Sequence, residues 1–148
     1  MKRFSGALLL AIGVVLVGCA SGPKLGDLQT KLPLLSSDQG RVYFYRNPLL
    51  GFGSAIQSDI DLNGQKIGTC RPNGVFFVDL QPGDYHVSVT NEVERTLNFT
   101  LGKGEEKFVR CYLAPTFIST GHMIVELVGP TEGREQIRDL AYTGQKLD

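Results

Sequence analysis

The Asn63-Gly64 dipeptide is the feature that most constrains the fold, because it lies between two short runs of strand-forming residues. Asn and Gly supply the positive φ angles that a two-residue hairpin turn requires. Apolar and polar residues alternate over 55–62, as they do on a strand with one face in water. The sequence therefore predicts an antiparallel hairpin in which residues 55–62 pair with residues 65–70.

Short runs of the same kind recur along the chain and are separated by turn residues. Val, Ile, Phe, Tyr and Thr are frequent at 41–46, 75–80, 85–90, 97–101, 107–113 and 123–128. The 18 glycines and 7 prolines fit many tight turns between short strands. This spacing predicts a mainly β chain, a single antiparallel β-sandwich of about seven or eight strands over residues 40–141. A short C-terminal helix, capped by Thr131, is expected to end near Ala141, before a tail at 142–148.

The charge balance excludes one class of partner. The chain has 15 basic and 15 acidic side chains, and removal of a leader that holds Lys2 and Arg3 would leave 15 − 2 = 13 basic ones. Nucleic-acid-binding proteins cluster Lys and Arg to neutralise phosphates, and the sequence has no such cluster. We therefore expect no nucleic-acid partner.

Residues 1–18 have the three parts of an export signal. A basic start, Lys2 and Arg3, precedes an apolar run at 7–17 and then small residues. A membrane-crossing helix needs about 20 apolar residues, so this run is too short to span a bilayer. Residues 1–18 are therefore predicted to be a signal peptide that is removed.

The sequence LVGC at 16–19 is similar to the lipobox of bacterial lipoproteins. The resemblance implies that the Cys19 thiol receives diacylglycerol, that the chain is cut before it, and that the new amine is acylated, with palmitate as the expected chain. Two or three acyl chains hold a protein stably on a membrane. Because Ala20 and Ser21, rather than Asp, follow the cysteine, the resemblance also implies an outer-membrane location with the domain facing the periplasm. An ordinary secretory signal that carries a cysteine is the alternative.

Residues 19–39 are interpreted as a tether between the lipid and the domain. Gly, Pro, Ser and Lys are mixed there with leucines and show no sustained period. The leucines are numerous for a free linker, so an additional packed segment is the alternative. They are Leu25, Leu28, Leu32, Leu34 and Leu35.

Two stretches, DLNGQKIG at 61–68 and LQPGDYHVSV at 80–89, are similar to PEGA-like domains. Together with the lipobox and the run at 107–113, they make the chain resemble a family of small bacterial lipoproteins with a C-terminal PEGA-like β-sandwich domain of unknown function. The resemblance implies a sandwich fold and supplies no catalytic residues. The chain departs from the pattern in its apolar segment at 47–55 and in Cys70 and Cys111.

Few residues have a pattern that suggests chemistry. His86 and His122 lack the spacing of metal ligands, so no metal or cofactor is expected. Asp59 and Asp61 share a strand face about 7 Å apart, which is near the separation of paired glycosidase carboxylates. The alternative is that they keep an exposed strand soluble. Ser119 precedes His122 closely, but nucleophilic catalysis also needs an orienting acid and an oxyanion site. We expect no catalytic residues and no enzyme activity.

Leu49, Leu50 and Phe52 are candidate partner-binding residues, because a surface loop rarely carries such side chains unless they are buried against something. Folding back over one end of the sandwich is the alternative, and the run at 115–118 allows the same two interpretations. The sequence therefore favours a lipid-anchored, non-enzymatic binding or assembly module that contacts an envelope protein.

The alternative function is a module that binds cell-wall glycan or another small ligand. Such a module would need aromatic platforms on a concave surface. Tyr43, Tyr45 and Tyr112 are the candidate platforms.

Cys70 and Cys111 are a candidate disulfide. With Cys19 lipidated, they are the remaining thiols of an exported chain with 3 cysteines. A bridge requires the two Cα atoms to lie about 4.4 to 6.8 Å apart. The alternative is two buried free cysteines that act as small apolar side chains.

Overall fold

The computed structural model describes residues 20–49, 52–115 and 121–147, with Phe52 described for its backbone alone. These residues form nine strands, which confirms the predicted mainly β fold. They are β1 Gly40–Arg46, β2 Asp59–Leu62, β3 Gln65–Thr69, β4 Gly74–Leu80, β5 Gly83–Thr90, β6 Glu94–Leu101, β7 Glu106–Ala114, β8 His122–Val128 and β9 Ala141–Tyr142. A short helix, α1, spans Pro130–Ile137, and 3₁₀ helices span Leu25–Lys31 and Phe52–Ala55.

The strands form two sheets, in the orders β8-β7-β1-β4-β9 and β3-β2-β5-β6. The predicted hairpin is confirmed, since Leu62 pairs with Gln65 across Asn63 and Gly64, whose φ angles are 51° and 80°. The second sheet is antiparallel throughout, as expected. The first sheet differs, because β1 pairs in parallel with β7, and β4 with β9. These partners are distant in sequence, so no hairpin turn sets their direction.

The main core lies between the two sheets. Alternate residues of each strand point inward, and Phe44 of β1 stacks on Phe76 of β4 with ring centroids 5.4 Å apart. Both rings are buried, and full burial of a Phe side chain contributes about 2 to 3 kcal/mol. The inward-facing residues include Val42, Ile60, Leu62, Val87, Val89, Phe99, Leu101, Val109, Met123 and Val125.

A second core covers the outer face of the five-stranded sheet. All seven residues of β1 are buried, which requires a packed layer on both faces of that strand. Tyr43, Tyr45 and Phe108 lie on the outer face, beneath the Leu25–Lys31 helix and α1. The two helices therefore add a third layer to the sandwich.

The predicted tether at 19–39 is wrong for its described residues, and the alternative of a packed segment is what the structure contains. Leu25 is 4% exposed, and its N–H donates to the carbonyl oxygen of Leu140. The N–H of Gly26 donates to the carbonyl oxygen of Arg138. The leucine side chain is held in the second core, so this segment lies along the domain.

The C-terminal region also differs from the prediction in detail. Helix α1 begins at Pro130, after Gly129, and ends at Ile137, so Thr131 is not its cap. Proline suits the first helical position because no acceptor is available for an N–H there. Ala141 and Tyr142 then pair with β4, so the start of the predicted tail is a strand.

Candidate functional site

The sandwich has two ends, which we name after the first and last residues of β1. At the Gly40 end lie the β2–β3, β4–β5 and β6–β7 turns. At the Arg46 end lie the β1–β2, β3–β4, β5–β6 and β7–β8 connections. Most of the residues singled out from the sequence belong to the Arg46 end.

Ala20 is docked at the Arg46 end. It is 7% exposed, and its N–H donates to the carbonyl oxygen of Pro72 over 2.9 Å. The side-chain amide of Asn73 donates to the carbonyl oxygen of Ala20. Gly74, which pairs with Arg46, leaves room for the Ala20 methyl group, since a Cβ atom there would lie 3.1 Å from it. Cys19 lies outside the described residues, but its neighbour in sequence is fixed on the domain.

Arg46 holds the irregular backbone at this end. Its side chain is 2% exposed, and its guanidinium donates to the carbonyl oxygens of Ile56, Gly53 and Cys70 over 2.6, 3.0 and 3.3 Å. Buried carbonyl groups need such partners, because leaving one unpaired costs about 1 to 3 kcal/mol. The arginine therefore joins the β1–β2 connection to the residue that follows β3.

Cys70 and Cys111 are bonded to each other, with their Cα atoms 6.3 Å apart. Cys70 follows β3 of one sheet and Cys111 belongs to β7 of the other. Both residues are almost fully buried in the main core. The pair therefore links the two sheets near the Arg46 end.

Of the three apolar residues proposed for partner binding, the structure describes the side chain of Leu49 alone. Leu50 and the side chain of Phe52 lie outside the described residues. Leu49 is half-buried and approaches Gly53, which also lies against the side chain of Leu113. Leu49 thus folds back toward the sandwich, whereas Pro48 beside it is exposed.

Asp59 has a structural partner in the hairpin. One carboxylate oxygen accepts a hydrogen bond from Lys66 Nζ at 2.7 Å and the other accepts one from Thr69 Oγ1 at 3.1 Å. The hydrogen bond from Lys66 lowers the pKa of Asp59. Asp61 is the partner of Lys66 in the strand register. A low pKa suits an ion pair rather than a general acid at neutral pH.

The two histidines lie apart from each other. His86 is in β5 of the four-stranded sheet, and His122 is at the Arg46 end. His86 is exposed, with Nδ1 2.6 Å from the side-chain oxygen of Asn98. His122 begins β8 and is half-buried, while Ser119 lies outside the described residues. In the described part of the chain, no three His, Cys, Asp or Glu side chains converge as a metal site would require.

Two of the three tyrosines proposed as sugar platforms are buried. Tyr43 and Tyr45 are 6% and 2% exposed beneath the helical layer, and the hydroxyl of Tyr45 donates to Gln136. Burial raises the pKa of Tyr45 to about 12. Neither ring has a free face, so that part of the prediction is wrong. Tyr112 is 37% exposed.

An open cleft of about 960 Å³ lies where β3 of one sheet approaches β4 and β9 of the other. Phe77 and Tyr142 contribute rings 5.8 Å apart, and the Arg41 guanidinium lies 4.1 Å from the centroid of Phe77. The remaining lining residues include Lys31, Ile67, Thr69, Arg71, Asp79 and Lys146. This cleft was not predicted from the sequence, because Tyr142 belongs to the predicted tail at 142–148 and pairs with β4 in the structure. The signal available in the sequence was Tyr142 itself, an aromatic residue that directly follows the apolar Leu140 and Ala141.

These features define a class: a disulfide-linked, two-sheet β module with an added helical layer. A family model described as a protein of unknown function, DUF2846, matches residues 36–123, and the chain belongs to this family. The match spans β1 to β7 and the start of β8. No curated protein matches the chain. Among the described residues, no helix is both long enough and apolar enough to cross a membrane.

Proposed function

We propose that this protein is a lipid-anchored envelope lipoprotein that acts as a non-enzymatic binding or assembly module. The observation that carries the proposal is the pairing of a lipobox-like LVGC at 16–19 with Ala20 docked on the sandwich. The residue that would carry the lipid is therefore bonded directly to one that the domain holds in place. The PEGA-like likeness of the two hairpin stretches fits a module of this kind.

The lipid supplies the attachment. Each buried methylene contributes about 0.8 kcal/mol, and two or three acyl chains make membrane residence stable. Consecutive Cα atoms lie about 3.8 Å apart, so the lipidated residue stays within that distance of docked Ala20. Almost no free chain therefore separates the domain from the membrane surface.

The contacts of the candidate catalytic side chains Asp59 and His86 support a non-enzymatic role. Asp59 is paired with Lys66, and His86 is paired with Asn98 on an exposed strand face. Neither lines the open cleft between β3, β4 and β9, and His86 lies instead in a shallow surface pocket with Asn98. We propose that a partner reaches the module on surfaces away from the membrane.

The test of the anchor is Cys19→Ser in the full precursor. We expect an unacylated chain by intact mass spectrometry, and loss of the protein from floated membranes. The matched control is Ser37→Ala, a change at an exposed position that leaves Cys19 in place and should leave acylation intact. A Cys19→Ser protein that still fractionates with the outer membrane contradicts the proposal.

Sorting to the outer membrane, with the domain facing the periplasm, has a separate test. Ala20→Asp introduces the residue typical of inner-membrane retention, and we expect it to move the protein to inner-membrane fractions. Ala20 is buried, so either polar substitution also disturbs its docking. Ala20→Asn is therefore the matched control and should leave the distribution unchanged. Equal behaviour of the two variants would count against the sorting proposal.

Binding of a small ligand or cell-wall glycan is the second candidate function, favoured by the cleft with Phe77 and Tyr142. Its volume is in the range of small-molecule sites, and aromatic rings there could stack on a sugar. We expect Tyr142→Ala to abolish NMR shift changes caused by soluble peptidoglycan fragments, whereas Tyr112→Ala on β7 retains them. Shifts that persist in Tyr142→Ala, or that map elsewhere, reject the cleft as the site.

A further inference from the structure

Two of the four connections at the Arg46 end, β1–β2 and β7–β8, carry no charged side chain. Residues 47–58 and 111–125 contain no Asp, Glu, Lys or Arg, although charged residues make up 20% of the chain. Their described parts expose apolar groups at Pro48, Ala55 and Pro115. Connections without charged side chains can approach the apolar part of a bilayer without the cost of removing an ion from water.

The Gly40 end has the opposite character. Its turns carry Asp84, Lys103 and Glu105, and Lys107 follows in β7. Lys103 and Asp84 are exposed, and Thr100 donates a hydrogen bond to Asp84. Charged side chains therefore face water at this end, beside Leu34, which is 95% exposed.

We propose that the Arg46 end lies against the lipid bilayer, with exposed apolar residues of the β1–β2 and β7–β8 connections seated at the boundary between headgroups and acyl chains. The inference rests on the proposed function, since the acyl chains on Cys19 bring the bilayer to this end. Ala20 is docked beside Pro72 and Gly74, in the same end as the uncharged connections. The bilayer is the occupant because the anchor and the exposed apolar residues lie at the same end of the sandwich.

The docked Ala20 and the β1–β2 connection lie at different sides of the Arg46 end. Their separation fixes the orientation of the domain on the membrane. Ala20 lies beside β4, whereas Gly53 lies against Leu113 of β7, two strands away across β1. Neighbouring strands are about 4.8 Å apart, so the contacts are separated by roughly 10 Å. An anchor at one side and an apolar contact at the other hold the long axis of the sandwich upright on the membrane.

Charged groups at the rim of this end fit the same orientation. Arg71, exposed beside Pro72, meets lipid phosphates. Glu92 and Glu94 flank Val93 in the β5–β6 turn, on the side of the sandwich far from Ala20, and remain in water at the headgroup level. Val93 is 43% exposed and contributes to the apolar contact.

The test uses the absence of tryptophan from the sequence. Single Trp probes are placed at Ala55 and Pro115 of the Arg46 end, as Ala55→Trp and Pro115→Trp, and at the Gly40 end as the matched control Lys103→Trp. Each lipidated full-length protein is reconstituted in phosphatidylethanolamine and phosphatidylglycerol vesicles, with or without brominated acyl chains. Bromine quenches a nearby indole, and an interfacial contact reaches about 5 to 10 Å into the boundary.

We expect emission from the probes at 55 and 115 to fall by roughly half in brominated vesicles, while the probe at 103 is unchanged, because an interfacial contact is that shallow. Vesicle flotation of the same samples reports the anchor. Proteins that float without quenching at 55 and 115 overturn the orientation and leave the anchor standing. Equal quenching at 103 also overturns it. Proteins that do not float refute both the anchor and the inference that depends on it.

Discussion

Strand β1 carries a buried arginine near each end, and the two are satisfied in different ways. Arg41, near the Gly40 end, donates to both carboxylate oxygens of Asp79 at 2.6 and 2.8 Å and lies over Phe77. Its hydrogen bond to Asp79 raises the pKa of Arg41, so the pair stays charged. Arg41 also donates to one backbone carbonyl oxygen, that of Pro33, at 2.9 Å. The acceptors described above for Arg46 are all backbone carbonyl oxygens, in two connections.

The difference separates an arginine that pairs with a partly exposed carboxylate from one that pairs with backbone carbonyl groups. The Asp79 side chain is 21% exposed, so water can solvate it if its arginine is lost. The carbonyl groups around Arg46 belong to irregular backbone beside a buried disulfide. The Arg46 end therefore depends more on the contacts of a single side chain.

The largest effect should come from the disulfide at the Arg46 end. The combined variant Cys70→Ala and Cys111→Ala releases a link across 41 residues, which we expect to reduce the free energy of unfolding by roughly 4 kcal/mol. Urea unfolding of both proteins measures the difference. Intact mass spectrometry after alkylation of the denatured, non-reduced protein is the control. Two alkylated thiols in the unmodified chain would show that no link was present to lose.

Arg46→Met should have the next largest effect. The methionine fills much of the same volume but leaves the carbonyl oxygens of Gly53, Ile56 and Cys70 without this donor, and we expect a loss of about 3 kcal/mol. Hydrogen exchange should show the β1–β2 connection opening before the sheets. A loss below about 1 kcal/mol would mean that water satisfies these carbonyl groups once the arginine is removed.

Arg41→Met sharpens the comparison from the other end. Asp79 is left partly exposed, so its carboxylate recovers solvation and we expect a loss of only about 1 to 2 kcal/mol. The double variant Arg41→Met with Asp79→Asn should be no less stable than the single one. If Arg41→Met costs as much as Arg46→Met in the same unfolding assay, the two ends do not differ in the way described.

Local patterns in the sequence predicted the local parts of the fold. The Asn63-Gly64 turn and its strands were identified because a two-residue hairpin depends on neighbouring residues. The parallel pairing of β1 with β7 was missed because it depends on contacts across more than 60 residues. The packing of Leu25 was left as an alternative, since nothing local tells a buried leucine from one in a linker.

The candidate site, too, could be predicted only where the prediction did not depend on long-range contacts. The pairing of Cys70 with Cys111 could be proposed by counting thiols, because redox chemistry constrains cysteines wherever they lie. Tyr43 and Tyr45 were proposed as sugar platforms, but β1 is buried on both faces. The unbroken run Val42-Tyr43-Phe44-Tyr45 is typical of a strand buried on both faces, and it could have indicated the helical layer.

The smallest effect concerns Glu105 in the β6–β7 turn of the Gly40 end. Its carboxylate accepts hydrogen bonds from Lys107 Nζ at 2.8 Å and from the backbone N–H of Gly102 at 2.7 Å. The first of these, with help from the second, lowers the pKa of Glu105. A lowered pKa means that the contact stabilises the fold above the unfolded-state pKa and ceases to do so as the pH falls through the folded-state value.

We therefore expect Glu105→Gln to be less stable than the unmodified protein at pH 7 by less than about 1 kcal/mol, since the carboxylate is partly exposed to solvent. The difference should shrink as the pH falls from about 5 to about 3, where the carboxyl group of the unmodified protein is protonated. Thermal unfolding across this range measures it, with Glu94→Gln, an exposed carboxyl at the start of β6, as the matched control. A difference that is constant with pH would assign the effect to the shape of the turn rather than to the charge of Glu105.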